Sequence, residues 1–109
     1  MIYDRLMTVY DRDDKDGRKL VNPVSYFYGE KEVYGSTFYQ AMQAGEQADA
    51  MIELWRADIH AEQFCALDDG QVYRVVQARH GLNADGLPVT TLTLRRMAGR
   101  YDAVSNSDT

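Results

Sequence analysis

The sequence predicts a mainly β fold, a small antiparallel β-barrel or sandwich of five to six strands with one short α-helix. Three features carry that expectation. Apolar and polar residues alternate over short stretches rich in Val, Tyr, Phe and Thr, which is the pattern of half-buried strands. Turn signals rich in Asp and Gly separate those stretches at regular intervals. One segment, opening at Gly35-Ser36, changes to helical spacing. The 109 residues are expected to form one domain over residues 1–98, followed by a polar, poorly patterned and flexible tail over 99–109.

Arg5 to Tyr10 alternates, with Met7 and Val9 on one side and Leu6, Thr8 and Tyr10 on the other, and reads as the first strand. Asp11 to Arg18 then holds four aspartates and Gly17. Asp bonds its own backbone and Gly tolerates positive φ, so a long solvated loop is expected. Val21 to Tyr34 reads as one or two strands, with Pro23 at a start or edge and a bulge near Gly29, where the apolar face switches. Ser36 can cap a helix through its hydroxyl. Phe38, Ala41, Met42 and Gly45 follow at helical spacing, giving two to three turns that must pack on the sheet.

Ala50 to Arg56 is the next strand, with Ile52 and Leu54 toward the core and Trp55 on the opposite face. Ala61 to Leu67 is ambiguous and is compatible with one helical turn. Asp68-Asp69-Gly70 is a turn between two apolar runs. Gln71 to Ala78 and Val89 to Met97 alternate strongly and are expected to pair as a hairpin across the loop Asn83-Ala84-Asp85-Gly86.

Composition restricts the function. Twelve basic residues against seventeen acidic ones leave a formal net charge of −5. That balance argues against a reader of nucleic acid, which needs a basic stripe to displace counterions from phosphates. It suits a wall that repels phosphate around DNA in transit. Cys65 is the single cysteine, so no internal disulfide forms, in keeping with a reducing compartment. No basic segment followed by an apolar run opens the chain, and no stretch approaches the ~20 apolar residues of a membrane span. The chain is expected to be soluble and cytoplasmic when synthesised, with no membrane partner.

The residues that could carry chemistry do not assemble into a known motif. If Gly17 took the sixth position of a calcium loop, Arg12 and Pro23 would hold positions one and twelve, where ligands are required. Cys65, His60 and His80 lack the close spacing of a structural zinc site. Glu62, Asp68 and Asp69 make the surroundings of Cys65 acidic, which disfavours a thiolate nucleophile. Glu46, Asp49, Glu53 and Asp58 lie on different elements, with little mass around them to form a cleft. No catalytic residue, metal or cofactor is expected. Eight tyrosines and three phenylalanines exceed what so small a core can bury, so part of this surplus is expected to meet a partner.

Four segments, in order, resemble the phage head–tail joining family, also called head-closure or stopper proteins. Tyr39-Gln40-Ala41-Met42-Gln43-Ala44-Gly45 resembles the family's short helix. Ile52-Glu53-Leu54-Trp55-Arg56-Ala57-Asp58-Ile59 resembles its hydrophobic–Arg–x–x–Ile strand. Asp69 to Val76 is similar to its Gly–x–x–Tyr–x–Ile strand, and Thr91-Leu92-Thr93-Leu94-Arg95-Arg96 to its closing strand. Tyr3 to Tyr10 also fits its first strand. Val33-Tyr34-Gly35 departs from the family's Trp and Ala before the helix.

The resemblance implies a non-enzymatic, structural subunit of the virion neck, present in the host cytoplasm during assembly. It implies a closed cyclic ring, six- or twelve-fold, below the portal and adaptor ring proteins. That ring retains DNA in the channel without reading its sequence, and docks a tail-terminator or tail-tube protein. It also implies a channel-facing or inter-subunit segment containing Ser36, Phe38, Tyr39, Gln40, Gln43, Glu46, Gln47 and Asp49. The acidic loop, with Asp11, Asp13, Asp14, Asp16 and Arg18, is a candidate partner contact. Two other readings stay open: a small non-enzymatic β-barrel binding or regulatory module of prophage origin, and a minor thiol- or carboxylate-based hydrolase.

Overall fold

Met7 and Val9 alternate with Leu6 and Thr8, and that alternation places the first strand's apolar side inward, where both residues are buried. The same rule organises the rest of the chain. The computed structural model describes residues 3–15, 17–31, 48–99 and 101–103. The strands are β1 (Arg5–Arg12), β2 (Lys19–Lys31), β3 (Ala50–Trp55), β4 (Phe64–Ala66), β5 (Val72–Leu82), β6 (Pro88–Arg96) and β7 (Asp102–Ala103). The chain is mainly β, and no helix occurs among the described residues. The helix expected from Ser36 to Gly45 lies outside them.

Six strands form one antiparallel sheet in the order β1-β4-β5-β6-β3-β2, and β1 pairs with β2 as well. The short β7 adds in parallel to the start of β2, setting Lys19 opposite Asp102 and Leu20 opposite Ala103. Met7, Val9, Tyr28, Ile52, Leu54, Cys65, Tyr73, Val75, Leu92 and Leu94 share the main core, together with Ile59 and Leu67. In an antiparallel ladder, residues opposite one another share a face. Ile52 faces Leu92 and Leu54 faces Thr90 on the inner side, whereas Glu53–Thr91 and Trp55–Val89 form rows on the outer side.

A second, smaller cluster of Tyr10, Leu20 and Phe64 lies outside the first, with Met97 and Tyr101 packed against it. The Tyr101 ring sits 5.5 Å from Phe64. Of the segment expected to be a flexible tail, residues 101–103 therefore pack and pair.

Several boundaries differ from the sequence expectation. Asp11 and Arg12 belong to β1, because they pair with Val21 and Leu20, so the loop is shorter than Asp11–Arg18. The expected bulge at Gly29 is found earlier in β2. Val9 pairs with Val24 and Asp11 with Val21, so two steps along β1 match three along β2. The extra residue falls at Asn22-Pro23, and Asn22 takes φ 57°. Asn tolerates the left-handed region, and Pro lacks the N–H that a ladder would need. At Gly29 the strand instead changes partner, leaving β1 for Glu53 of β3.

The segment Ala61–Leu67 is not a helical turn. Glu62 has φ 77°, which a right-handed helix cannot contain, and Phe64–Ala66 is a strand paired on both sides. Long-range pairing overrides a weak local preference here. The β5–β6 hairpin is as expected but longer, running from Tyr73–Arg96 to Leu82–Pro88. Its loop is held by the Asn83 side chain, whose Oδ1 accepts from the N–H groups of Asp85 and Leu87 at 2.9 Å.

Candidate functional site

Among the described residues the exposed chemistry lies on surfaces built from strand faces and strand ends. At the end of the sheet where β1 begins, Asp68 gathers three donors. Arg5 reaches it with Nε at 2.7 Å and Nη2 at 2.6 Å, and the Tyr28 hydroxyl donates to it at 2.7 Å. Arg5 also pairs with Glu30 at 2.7 Å and lies over the Tyr28 ring. The Arg5 bonds, followed by the Tyr28 bond, hold the Asp68 carboxyl below its usual range.

This pattern repeats. Tyr73 donates to Asp69 at 2.8 Å, and burial, reinforced by that bond, pushes its hydroxyl up to about 12. Tyr3 donates to Glu53 and meets Trp55 edge-on at 4.9 Å. Three of the described tyrosines thus spend their hydroxyls inside the chain. Those described are buried or half-buried, with three hydroxyls committed to carboxylates of this chain. Among the described residues the exposed large aromatic rings are Phe27 and Trp55.

Two apolar pairs stand open among the described residues. On the outer face of β1–β2, Leu6 lies directly opposite Phe27, which is 60 % exposed. At the far end of the β5–β6 hairpin, Leu82 is 70 % exposed and Leu87 flanks it across the loop. Between that hairpin and β3 runs a groove of about 500 Å³. The outer rows Trp55–Val89–Gly81 and Glu53–Thr91–Arg79 line it, together with Tyr3 and the loop Leu82–Asp85.

Part of the expected acidic contact loop hydrogen-bonds within the chain. Asp11 accepts from Gln63 at 2.9 Å and Asn22 at 3.0 Å, and these bonds lower its carboxyl. Asp13 accepts from the Lys15 N–H at 2.8 Å. Asp14 is exposed, and the Arg18 guanidinium lies 5.7 Å from the Tyr101 ring centre. Asp16 lies outside the described residues.

So do Ser36, Phe38, Tyr39, Gln40, Gln43, Glu46 and Gln47 of the proposed channel-facing segment. Asp49, at its end, is described. Its N–H donates to the Leu94 carbonyl at 2.8 Å and its Oδ2 accepts from the Arg96 N–H at 2.7 Å, tying the entry of β3 to β6. The structure does not bring Asp49 together with the acidic loop.

Cys65 is fully buried, and burial, with a smaller effect of Asp69, pushes its thiol up to about 12. His60 and His80 engage Ala61 and Thr90, at 3.0 and 2.9 Å. No group of three His, Cys, Asp or Glu side chains among the described residues is placed to hold a metal ion.

Sequence reasoning missed the Leu6–Phe27 face and the Leu82–Leu87 tip. The first had a signal, since Leu6 alternates with the buried Met7 and Val9. The second had one in the apolar residues flanking the Asn83–Gly86 turn. Three of the four family-like segments lie on neighbouring strands: Ile52–Trp55 on β3, Thr91–Arg96 on β6 and Val72–Val76 on β5. The fourth, Tyr39–Gly45, is outside the described residues. No family model, no curated protein and no solved structure matches this chain.

Proposed function

We propose that this chain is a structural subunit of the head–tail junction of a tailed bacteriophage, a head-closure or stopper protein that assembles into a ring beneath the portal and adaptor. The observation that carries this reading is the placement of its exposed apolar groups. Leu6 and Phe27 sit on the β1–β2 face and Leu82 and Leu87 at the β5–β6 tip, while Trp55 stands in an open groove rather than an enclosed pocket. A subunit that contacts its neighbours head to tail needs two unlike surfaces of this kind, and a rotation that closes turns such contacts into a ring.

The sequence resemblance and the acidic balance are consistent with a channel lining that lets DNA pass. The pairing of β1 with both β4 and β2 supports a small antiparallel barrel as the finer architecture. The groove beside Trp55 favours a second reading, a small binding module of prophage origin.

Co-sedimentation separates the two. The purified chain, mixed with portal–adaptor complexes from a tailed phage carrying this gene, is expected to travel with them through a gradient. A chain that stays at the top of the gradient argues for the binding module.

A further inference from the structure

We infer that residues 101–103 form a releasable strap over the start of β2, latched by Arg18, which opens while the six-stranded sheet stays closed. The strap's backbone hold is short. Asp102 and Ala103 pair with Lys19 and Leu20 in parallel, whereas the β5–β6 ladder runs from Tyr73 to Leu82. Parallel pairing is also the less stable kind per residue. The apolar hold is equally local. The last residue of the main core in sequence is Leu94, so that core is complete without the strap. Tyr101 packs instead on the smaller cluster of Tyr10, Leu20 and Phe64, with its ring 5.5 Å from Phe64 and half-buried. A segment held by so little backbone and one ring opens at far lower cost than the long ladders.

Arg18 joins the strap to the loop before β2. Its guanidinium lies 5.7 Å from the Tyr101 ring centre, within cation–π reach. It also lies against Gly99, where an added Cβ would collide with Arg18 Nη1. Gly99 has φ 94°, a backbone conformation open to glycine and strained for other residues. Glycine there serves both the turn out of β6 and the approach of Arg18. Closed, the strap helps keep Leu20 at 0 % and Phe64 at 3 % exposure. It also pairs with the edge of β2 that faces away from β1. Lifted, it uncovers an apolar seat and an unpaired strand edge together, so the same surface is hidden in one state and adhesive in the other.

Native-state hydrogen exchange of the full chain, read residue by residue by NMR, tests this. Amides of residues 101–103 that bond to β2 are expected to be protected, yet to exchange about a hundredfold faster than those of Leu92 and Leu94, and low urea should leave their rate unchanged. Arg18→Ala removes the latch and is expected to raise the strap's rate about threefold, the effect of losing one exposed cation–π contact. Gly99→Ala should raise it about tenfold, because the new Cβ displaces Arg18 and the backbone is strained. In both variants the β5–β6 rates are expected to stay at the wild-type value and buried Cys65 to stay unlabelled by a thiol reagent. Strap amides that exchange at the β5–β6 rate, or that show no protection in the wild-type chain, overturn the inference. So do strap rates that neither variant changes, and variants that speed β5–β6 as much as the strap.

Discussion

The Tyr28 hydroxyl and the Asp68 carboxylate meet at 2.7 Å, on the same carboxylate that Arg5 grips with two nitrogens. Tyr28 belongs to the core of the sheet and Asp68 to an exposed turn, so this bond ties the β4–β5 turn to the β1–β2 pair. It also gives the fold an acid-sensitive point. The folded-state pKa of Asp68 is depressed, chiefly by Arg5 and then by Tyr28, and that of Asp11 by Gln63 and Asn22.

A depressed carboxylate contributes stability that is fully present above its unfolded pKa, about 3.9, and is lost as pH falls through the lower folded value. Urea unfolding midpoints are therefore expected to hold steady down to pH about 4 and to drop below it. Asp68→Asn should lower the neutral-pH midpoint and flatten the acid limb. A wild-type midpoint unchanged down to pH about 3 would sink the assignment.

Asn22 is the second point where a local rule is bent. It holds φ 57° at the β2 bulge and donates to Asp11 at 3.0 Å. Asn22→Val places a β-branched side chain in the left-handed region and is expected to cost about 1–2 kcal/mol of stability. Asn22→Gly keeps the backbone, loses one exposed hydrogen bond and should cost clearly less. Equal losses for both variants, measured by chemical denaturation, would show that the bulge does not depend on this conformation.

Cys65 gives a direct readout of core integrity. It is buried and its thiol is raised to about 12, so a thiol reagent at mildly alkaline pH should leave the folded chain unlabelled. In denaturant one thiol per chain should react at once. Rapid labelling of the folded protein would contradict the packing of β4 between β1 and β5.

The sheet was largely legible because its strands obey the period of two. Ile52 and Leu54, Leu92 and Leu94, and Met7 and Val9 all face the core as their alternation requires. What local reasoning misjudged depends on distant partners. Phe64–Ala66 is a strand because β1 and β5 lie on either side of it. The β2 bulge sits at Asn22-Pro23 because β1 sets the register there, although Gly29 looked the weaker point in sequence.

The candidate site was less legible than the fold. Tyrosine content suggested surface rings, but Tyr3 and Tyr28 each found a carboxylate that sequence distance had hidden, and Tyr73 found Asp69 only four residues back. Asp11 and Asp13 also hydrogen-bond within the chain, to Gln63, Asn22 and the Lys15 N–H, which the acidic run alone did not announce. The apolar exposure of Leu6, Phe27, Leu82 and Leu87 depends on which strand faces remain uncovered, a property of the assembled sheet rather than of any one segment.

The most direct test of the central claim is cryo-electron microscopy of portal–adaptor complexes, imaged with and without the purified chain. The account predicts an added ring of density below the adaptor, coaxial with the channel, into which copies of this six-stranded sheet fit. Complexes that look the same with and without the chain would contradict it.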